Sequence, residues 1–159
     1  MGRMNTGMTW QTKSESSEQT EKLAARLGKA LKGGEVIELV SDLGGGKTTF
    51  VRGLAHGTGS KDKVGSPTFT ISKVYNAPKF DIHHFDFYRL PDPGLVGNEL
   101  AEVLGDEHIV TVIEWADVVS HVLPSDRLHI DIKQTPDGAR ELTFRASPSL
   151  AYLLEAVRE

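Results

Sequence analysis

The chain has 159 residues, of which 38% are apolar and 25% are charged, and its formal net charge is −4. The acidic balance argues against a strongly nucleic-acid-binding surface, and the absence of cysteine excludes disulfides, zinc-thiolate sites and thiol catalysis. No apolar run approaches the roughly 18 residues of a membrane span. The first eight residues lack the apolar core of a signal peptide and are expected to be disordered, and residues 9–159 are expected to form a single cytoplasmic domain.

The secondary structure follows from hydrophobic periodicity and turn residues, taken in chain order. The pattern predicts strands at residues 9–12, 35–41, 69–75, 79–88, 109–113, 127–133 and 141–145. It predicts helices after the capping residues of 14–18, at 47–55, at 97–104, at 116–123 and after Ser147. The β-branched run 109–113 is typical of a strand buried on both faces of a parallel sheet. We therefore expect a three-layer α/β fold with a mostly parallel sheet, antiparallel hairpins and flanking helices.

The strand at 35–41 leads into a segment that is typical of a phosphate-binding P-loop. The residues that would bind a nucleotide there are Leu43, Gly44, Gly45, Gly46, Lys47, Thr48 and Thr49. Glycines let successive backbone N–H groups turn towards an anion, and the following helix presents its positive end to the same place. Lys47 would reach the β- and γ-phosphates, and the Thr48 hydroxyl would hold Mg²⁺. Ser41 stands where the usual pattern has its first glycine, and an ordinary glycine-rich turn is the alternative interpretation.

A P-loop needs a further carboxylate near its magnesium ion, and two strand ends provide candidates. Glu114 follows the buried strand and is the preferred magnesium ligand. Asp86 ends the strand before it in the chain and is preferred as the catalytic carboxylate that positions water, or as a carboxylate that supports the metal ligands from behind. In the alternative interpretations, Asp86 is a structural partner of Arg89 and Glu114 is a solvated strand end.

Several neighbouring residues carry weaker signals. His83 and His84 are adjacent on a strand and point to opposite faces, which argues against a metal-binding pair, whereas His84 faces the same way as Asp86 and could form a hydrogen bond within the site. Trp115 is interpreted as a packing or interface residue. Residues 66–68, Ser-Pro-Thr, either form a nucleotide-sensing switch or an ordinary turn.

Four motifs stand in a characteristic order along the chain. They are DLGGGKTTF at 42–50, SPTFT at 66–70, HFDFYRL at 84–90 and IEW at 113–115. Together they resemble the bacterial TsaE (YjeE) family of small P-loop ATPases, over about residues 9–145. Gly45 departs from the family pattern, which has alanine at that position.

The resemblance implies a P-loop NTPase-like fold and a Mg²⁺-dependent ATPase that is weak alone and activated by partners. The family acts with the TsaB and TsaD proteins, which build threonylcarbamoyladenosine in tRNA, and its ATP cycle supports turnover of that assembly. By position, the P-loop binds ATP, Thr48 and Glu114 bind Mg²⁺, Asp86 belongs to the hydrolytic site and 66–68 form the switch. Ser16 and the hairpin at 133–140 are expected near the adenine. The acidic net charge fits a tRNA that is held only indirectly, through the partners.

Two other functions remain open. A small-molecule kinase of the same fold usually carries an Arg-rich lid, and residues 91–107 contain neither Arg nor Lys, which argues against it. A nucleotide-sensing module without useful catalysis would bind ATP tightly, and replacing Asp86 with alanine would leave its ATP turnover unchanged.

Overall fold

A computed structural model of the chain describes residues 7–41, 46–64, 72–88 and 94–158. Within these ranges the strands are β1 (Met8–Ser14), β2 (Val36–Ser41), β3 (Ser72–Asn76), β4 (Asp81–Asp86), β5 (Ile109–Glu114), β6 (Leu128–Gln134) and β7 (Arg140–Ala146). The α-helices are α1 (Ser17–Ala30), α2 (Lys47–Gly57), α3 (Gly94–Val103) and α4 (Ala151–Arg158). Two 3₁₀ segments, Ala116–Val122 and Pro148–Leu150, complete the described structure.

The described strands form one mixed sheet in the order β1-β7-β6-β2-β5-β4-β3. Its four central strands, β6, β2, β5 and β4, run parallel, and the pairs β1–β7, β6–β7 and β3–β4 are antiparallel. β5 lies between β2 and β4 and is buried along almost its whole length, as its β-branched sequence predicts. The parallel centre brings the carboxyl ends of β2, β5 and β4 to one edge of the sheet.

Helices cover both faces of this sheet, and each face has its own apolar core. The larger core lies under α1, α2 and α4. The smaller core packs α3 and the first 3₁₀ segment on the opposite face, and it contains Val36, Phe85, Phe87, Leu100, Ile113, Ala116 and Val119. The layers confirm the three-layer α/β fold that the sequence predicts.

The position of α2 depends on its close packing against α1. A Cβ atom added at Gly28 would lie 2.3 Å from the carbonyl oxygen of Leu54, and one added at Gly53 would lie 2.4 Å from that of Glu21. Glycine in a helix interior is unfavourable by about 1 kcal/mol relative to alanine, so these positions trade helix propensity for backbone approach. The close packing fixes where the beginning of α2 lies over the sheet.

The start of α1 is defined by its cap. The Gln19 N–H donates to Ser16 Oγ at 3.1 Å, and the Gln19 side chain accepts a hydrogen bond from the Glu15 N–H at 2.9 Å. The first bond satisfies a backbone donor that the helix leaves free at its first turn, and the second ties the residue before the cap to the helix. The capping residues at 14–18 therefore act as the sequence predicts.

The element boundaries differ from the predicted ones in a few places. α3 begins at residue 94, three residues before its predicted start, and the predicted helix at 116–123 is a 3₁₀ helix over Ala116–Val122. Pro124 prevents the segment from continuing, and its seven residues make it long for a 3₁₀ helix, since runs beyond about four residues are uncommon. Of the segment predicted to be disordered, Met8 pairs with Ala146 in the sheet, and residues 1–6 lie outside the described ranges. No helix in the described parts of the chain is long and apolar enough to cross a membrane.

Candidate functional site

Three adjacent parallel strands end at the same place in the sheet. Glu114 is the register partner of Leu39 on β2 and of Asp86 on β4. Register partners in neighbouring parallel strands project to the same face, so Glu114 and Asp86 lie side by side on the face that α1 and α2 cover. The carboxyl ends of parallel strands are where α/β proteins place ligand-binding groups.

α2 begins over these strand ends. Gly46 caps the helix with a left-handed backbone, φ 101° and ψ 14°, and its carbonyl oxygen accepts the Phe50 N–H at 3.0 Å. Lys47, Thr48 and Thr49 form the first turn, whose N–H groups have no acceptor within the helix by position. These groups and the helix dipole favour an anion at the end of the helix that faces the two carboxylates.

Glu114 is the most enclosed charged group of the site. Its side chain is 5% exposed, its Oε1 lies 3.4 Å from Lys47 Nζ, and its Oε2 lies 2.5 Å from His84 Nε2. Burial by itself raises the pKa of Glu114, but the hydrogen bond from His84 and the charge and hydrogen bond of Lys47 outweigh burial and lower it. The carboxyl is therefore ionised, and the interpretation of Glu114 as a solvated strand end is wrong.

Asp86 experiences a different environment. Burial raises its pKa above the ordinary value, the Tyr88 N–H that donates to Oδ1 at 3.0 Å lowers it, and the neighbouring Glu114 charge raises it again. Its net pKa is raised. A carboxylate with a raised pKa is better suited to accept a proton near neutral pH than an ordinary aspartate. Arg89, the alternative partner of Asp86, lies outside the described residues.

Trp115 contacts the site through its ring. It has a left-handed backbone, φ 57° and ψ 53°, at the point where β5 passes into the 3₁₀ segment. Lys47 Nζ lies 4.9 Å from the centre of the Trp115 ring, and the Tyr88 ring lies 4.9 Å away, centre to centre. A cation over an indole face is attracted by the ring quadrupole. Lys47 is thus held between Glu114 and Trp115.

A cavity of about 230 Å³ opens on the other side of the beginning of α2. It is lined by Ser14, Glu15, Ser16, Ser17, Thr20, Gly46, Thr49, Ile132, Gly138 and Arg140. The beginning of α1 and the β6–β7 hairpin, which are far apart in sequence, therefore meet beside the P-loop helix. A Cβ atom at Gly46 would lie 3.4 Å from Arg140 Nε, so the arginine reaches the end of the loop.

The donor set suits a magnesium ion that is shared with a phosphate. Among the described residues, no group of three or more His, Asp and Glu side chains could hold a metal alone. Mg²⁺ is usually bound by one or two protein oxygens together with phosphate oxygens and water, and Thr48 and the ionised Glu114 are oxygen donors of that kind. The residues therefore fit Mg²⁺ bound with a nucleotide.

The structure brings together most of the residues that the sequence singles out. Lys47, Glu114, Asp86 and the first turn of α2 meet at one end of the sheet, and Ser16 and Thr49 line one cavity. Leu43, Gly44, Gly45 and residues 66–68 lie outside the described ranges, so their predicted roles remain predictions. Sequence reasoning did not find the contact of Lys47 with Trp115. The signal was present, because Trp115 directly follows the candidate carboxylate.

Comparisons with known proteins agree on one family. A family model described as "Threonylcarbamoyl adenosine biosynthesis protein TsaE" matches residues 14–142. The tRNA threonylcarbamoyladenosine biosynthesis protein TsaE of Bacillus subtilis (strain 168) is 40% identical over 144 residues, which cover 87% of this chain and 85% of that protein. The protein of the same name from Treponema pallidum (strain Nichols) is 34% identical over 134 residues, covering 82% of this chain and 96% of the relative.

A solved structure shows the same architecture. The crystal structure of Bacillus subtilis YdiB matches with a TM-score of 0.75 and 34% sequence identity, and the match covers 99% of this chain and 97% of that one. Because the match covers nearly all of both chains, the two proteins share the whole arrangement of helices and strands.

Proposed function

The chain belongs to the TsaE family, and on that premise we propose that it is the ATP-binding and ATP-hydrolysing subunit of bacterial tRNA threonylcarbamoyladenosine biosynthesis. We further propose that it acts with TsaB and TsaD, supports their turnover, and contacts tRNA only through them. The coarser part of this proposal, a role in threonylcarbamoyladenosine biosynthesis, is supported by the names of its relatives. The cytoplasmic location stays a prediction.

One observation carries the catalytic part of the proposal. The beginning of α2, its Lys47 and the buried Glu114 meet within ion-pair distance at the carboxyl end of a parallel sheet. A lone buried carboxylate is costly, and the fold places a cation on one of its oxygens and a histidine on the other. In this arrangement Lys47 can exchange its carboxylate partner for a phosphate. A structural carboxylate at the end of a strand would not require both partners.

The residues of this chain would act as follows. Amides of the first turn of α2 and Lys47 bind the phosphates, and the Thr48 hydroxyl and Glu114 hold Mg²⁺. The metal, when bound, neutralises developing phosphate charge. When Lys47 turns from Glu114 to a phosphate, Glu114 Oε1 loses its cationic partner and becomes available as a ligand. Asp86, whose pKa burial raises, positions the attacking water and accepts its proton.

The second half of the nucleotide would occupy the cavity beside Gly46. Ser16 and Arg140 line this cavity from the two segments that meet there. Its lining of hydroxyl side chains, a carboxylate and the Arg140 guanidinium offers both donors and acceptors to a base and its ribose. We therefore propose that adenine lies between the beginning of α1 and the β6–β7 hairpin.

The decisive experiment measures ATP turnover by the purified chain alone and in the presence of TsaB and TsaD. Slow hydrolysis alone, a marked increase with the partners and loss of both rates in Lys47→Ala are expected. If the partners neither bind the chain nor alter its turnover, the proposed role is wrong. Transfer of labelled phosphate to a metabolite would support a kinase instead. Tight ATP binding with turnover that Asp86→Ala leaves unchanged would support a non-catalytic module.

A further inference from the structure

His84 has an environment that its place in the apolar core does not require. It lies on β4, is 1% exposed, and is in register with Val112 on β5. Its ring lies 6.2 Å from that of Tyr75, centre to centre. An apolar side chain of similar size would fill this space, so the imidazole is expected to be present for its nitrogen atoms.

One of those nitrogens is bound to the site. Nε2 lies 2.5 Å from Glu114 Oε2, a hydrogen-bond distance at which an imidazole N–H donates and a carboxylate oxygen accepts. Nδ1 is buried and has no hydrogen-bond partner among the described residues. The tautomer with its proton on Nε2 leaves a lone pair at Nδ1. The other tautomer would bury at Nδ1 an N–H for which the described residues offer no acceptor, and it would set two acceptors, Nε2 and Oε2, against each other.

The two oxygens of Glu114 are held in different ways. His84 lies on β4, which is paired with a strand on each side, and its side chain is short, so its contact with Oε2 restricts the orientation of the carboxylate. Lys47 reaches Oε1 from the first turn of α2 through a long, flexible side chain, at the looser distance of 3.4 Å. Oε2 thus has the short contact with His84, and Oε1 has the longer contact with Lys47, which can be exchanged.

We propose that His84 is a positioning residue for Glu114: its Nε2–H holds Oε2 so that Oε1 stays directed at Lys47 and at the metal that binds with the nucleotide. The inference rests on the proposed function, since it assigns His84 a task in that same site. Hydrogen bonds that orient a metal ligand are commonly worth about 10- to 100-fold in metal affinity, which sets the size of the expected effect.

The test compares three variants of buried residues on β4. His84→Leu keeps volume and removes the donor, and His84→Gln keeps an N–H donor near the position of Nε2. Ile82→Val is the matched control, because Ile82 is fully buried on the same face of the strand and pairs with Val110, four residues before Glu114. Each protein is titrated with a non-hydrolysable ATP analogue in the absence of Mg²⁺, and then with Mg²⁺ at saturating analogue. Thermal unfolding is recorded in parallel.

His84→Leu is expected to raise the Mg²⁺ concentration for half-saturation by at least tenfold, while analogue affinity without Mg²⁺ changes less than about threefold. His84→Gln should recover most of the Mg²⁺ affinity. Ile82→Val should lower the Tm and leave the Mg²⁺ midpoint unchanged. If His84→Leu lowers the Tm but binds Mg²⁺ like the wild type, His84 is a core residue only and the inference is wrong.

A double-mutant cycle tests whether His84 acts through Glu114. In a Glu114→Gln background, His84→Leu should produce little further change in the Mg²⁺ midpoint, because the group that it positions is gone. An undiminished effect in that background would overturn the inference. Should wild-type protein fail to bind the analogue at all, the proposed function would be at fault, so the two failures are distinguishable.

Discussion

Asp86 and Glu114 are register partners on adjacent parallel strands, and the fold moves their pKa values in opposite directions. Both carboxyls are removed from water, which by itself raises a carboxyl pKa. Glu114 has His84 and Lys47 as compensating partners, whereas Asp86 has a backbone N–H and the repulsion of Glu114. Two neighbouring carboxyls with pKa values pushed apart are an arrangement suited to one ionised ligand and one proton acceptor.

Glu114→Gln should lower the Tm at neutral pH. A charge-assisted hydrogen bond is worth about 1.5–3 kcal/mol, and about 1 kcal/mol shifts the Tm of a domain this size by roughly 2–4 °C. Because the folded-state pKa of Glu114 lies below its ordinary value of 4.5, the stabilisation is present above that pH and is lost as pH falls through the folded pKa. Thermal unfolding from pH 7 to pH 3 should show the two proteins converging. A difference in Tm that stays constant with pH would mean that packing, not charge, is responsible.

Asp86→Asn should have the opposite effect on stability at neutral pH and should nonetheless reduce ATP turnover. The folded-state pKa of Asp86 is raised, so the protonated form favours folding, and this contribution is lost as pH rises from 3.8 through the folded pKa. The variant should therefore have a slightly higher Tm at pH 7 and an unchanged Tm near pH 3. A lower Tm at pH 7 together with full turnover would assign Asp86 a structural role.

Lys47→Ala should weaken ATP binding by about 10- to 100-fold, because it removes a charge-assisted contact worth about 1.5–3 kcal/mol. It should also lower the Tm, since Glu114 loses a cation that lies 3.4 Å away. Arg52→Ala is the matched control, because Arg52 is an exposed cation on the same helix. Equilibrium binding of a fluorescent ATP analogue measures the first effect. Wild-type affinity in Lys47→Ala would contradict the P-loop assignment.

Gly46→Ala should weaken nucleotide binding more than it weakens the fold. Its backbone has φ 101°, which an alanine adopts at a cost of about 1–2 kcal/mol, and the new Cβ would lie 3.4 Å from Arg140 Nε at the end of the loop. Gly105→Ala has a similar backbone, φ 88°, with nothing within 4 Å of the added Cβ. Both variants should lose similar stability in thermal unfolding, and Gly46→Ala alone should lose ATP affinity. Equal ATP affinity in both variants would place the phosphates elsewhere.

Trp115 should report on the nucleotide through its fluorescence. Lys47 Nζ lies 4.9 Å from the centre of its ring, and the movement of Lys47 to a phosphate would change the electric field at the indole. Trp10, the other tryptophan, packs on Phe144 and is replaced by phenylalanine for the measurement. Emission should change as ATP is added, and Lys47→Ala in the same background should abolish the change. A signal that persists without Lys47 would come from another rearrangement.

Much of the fold could be predicted because it depends on local sequence. Periodicity over a few residues located every described strand, the capping residues at 14–18 marked the beginning of α1, and the glycine-rich P-loop pattern marked that of α2. The predicted boundaries were wrong at the ends of elements. One example is α3, which begins at residue 94 and not at residue 97, because neighbouring positions are nearly equivalent as helix starts. The 3₁₀ form of Ala116–Val122 also depends on tertiary packing against the smaller core.

The sequence by itself determined which chemical groups are present and in which order: a glycine-rich loop with Lys47 and Thr48, then Asp86, then Glu114. Only the tertiary structure decided that His84 donates to one oxygen of Glu114 while Lys47 reaches the other. Those residues are separated by about thirty positions or more, and their contact requires β5 to lie between β2 and β4 in one register. Strand order and register are chosen by burial of both faces of the whole sheet, a global property that no short stretch of sequence contains.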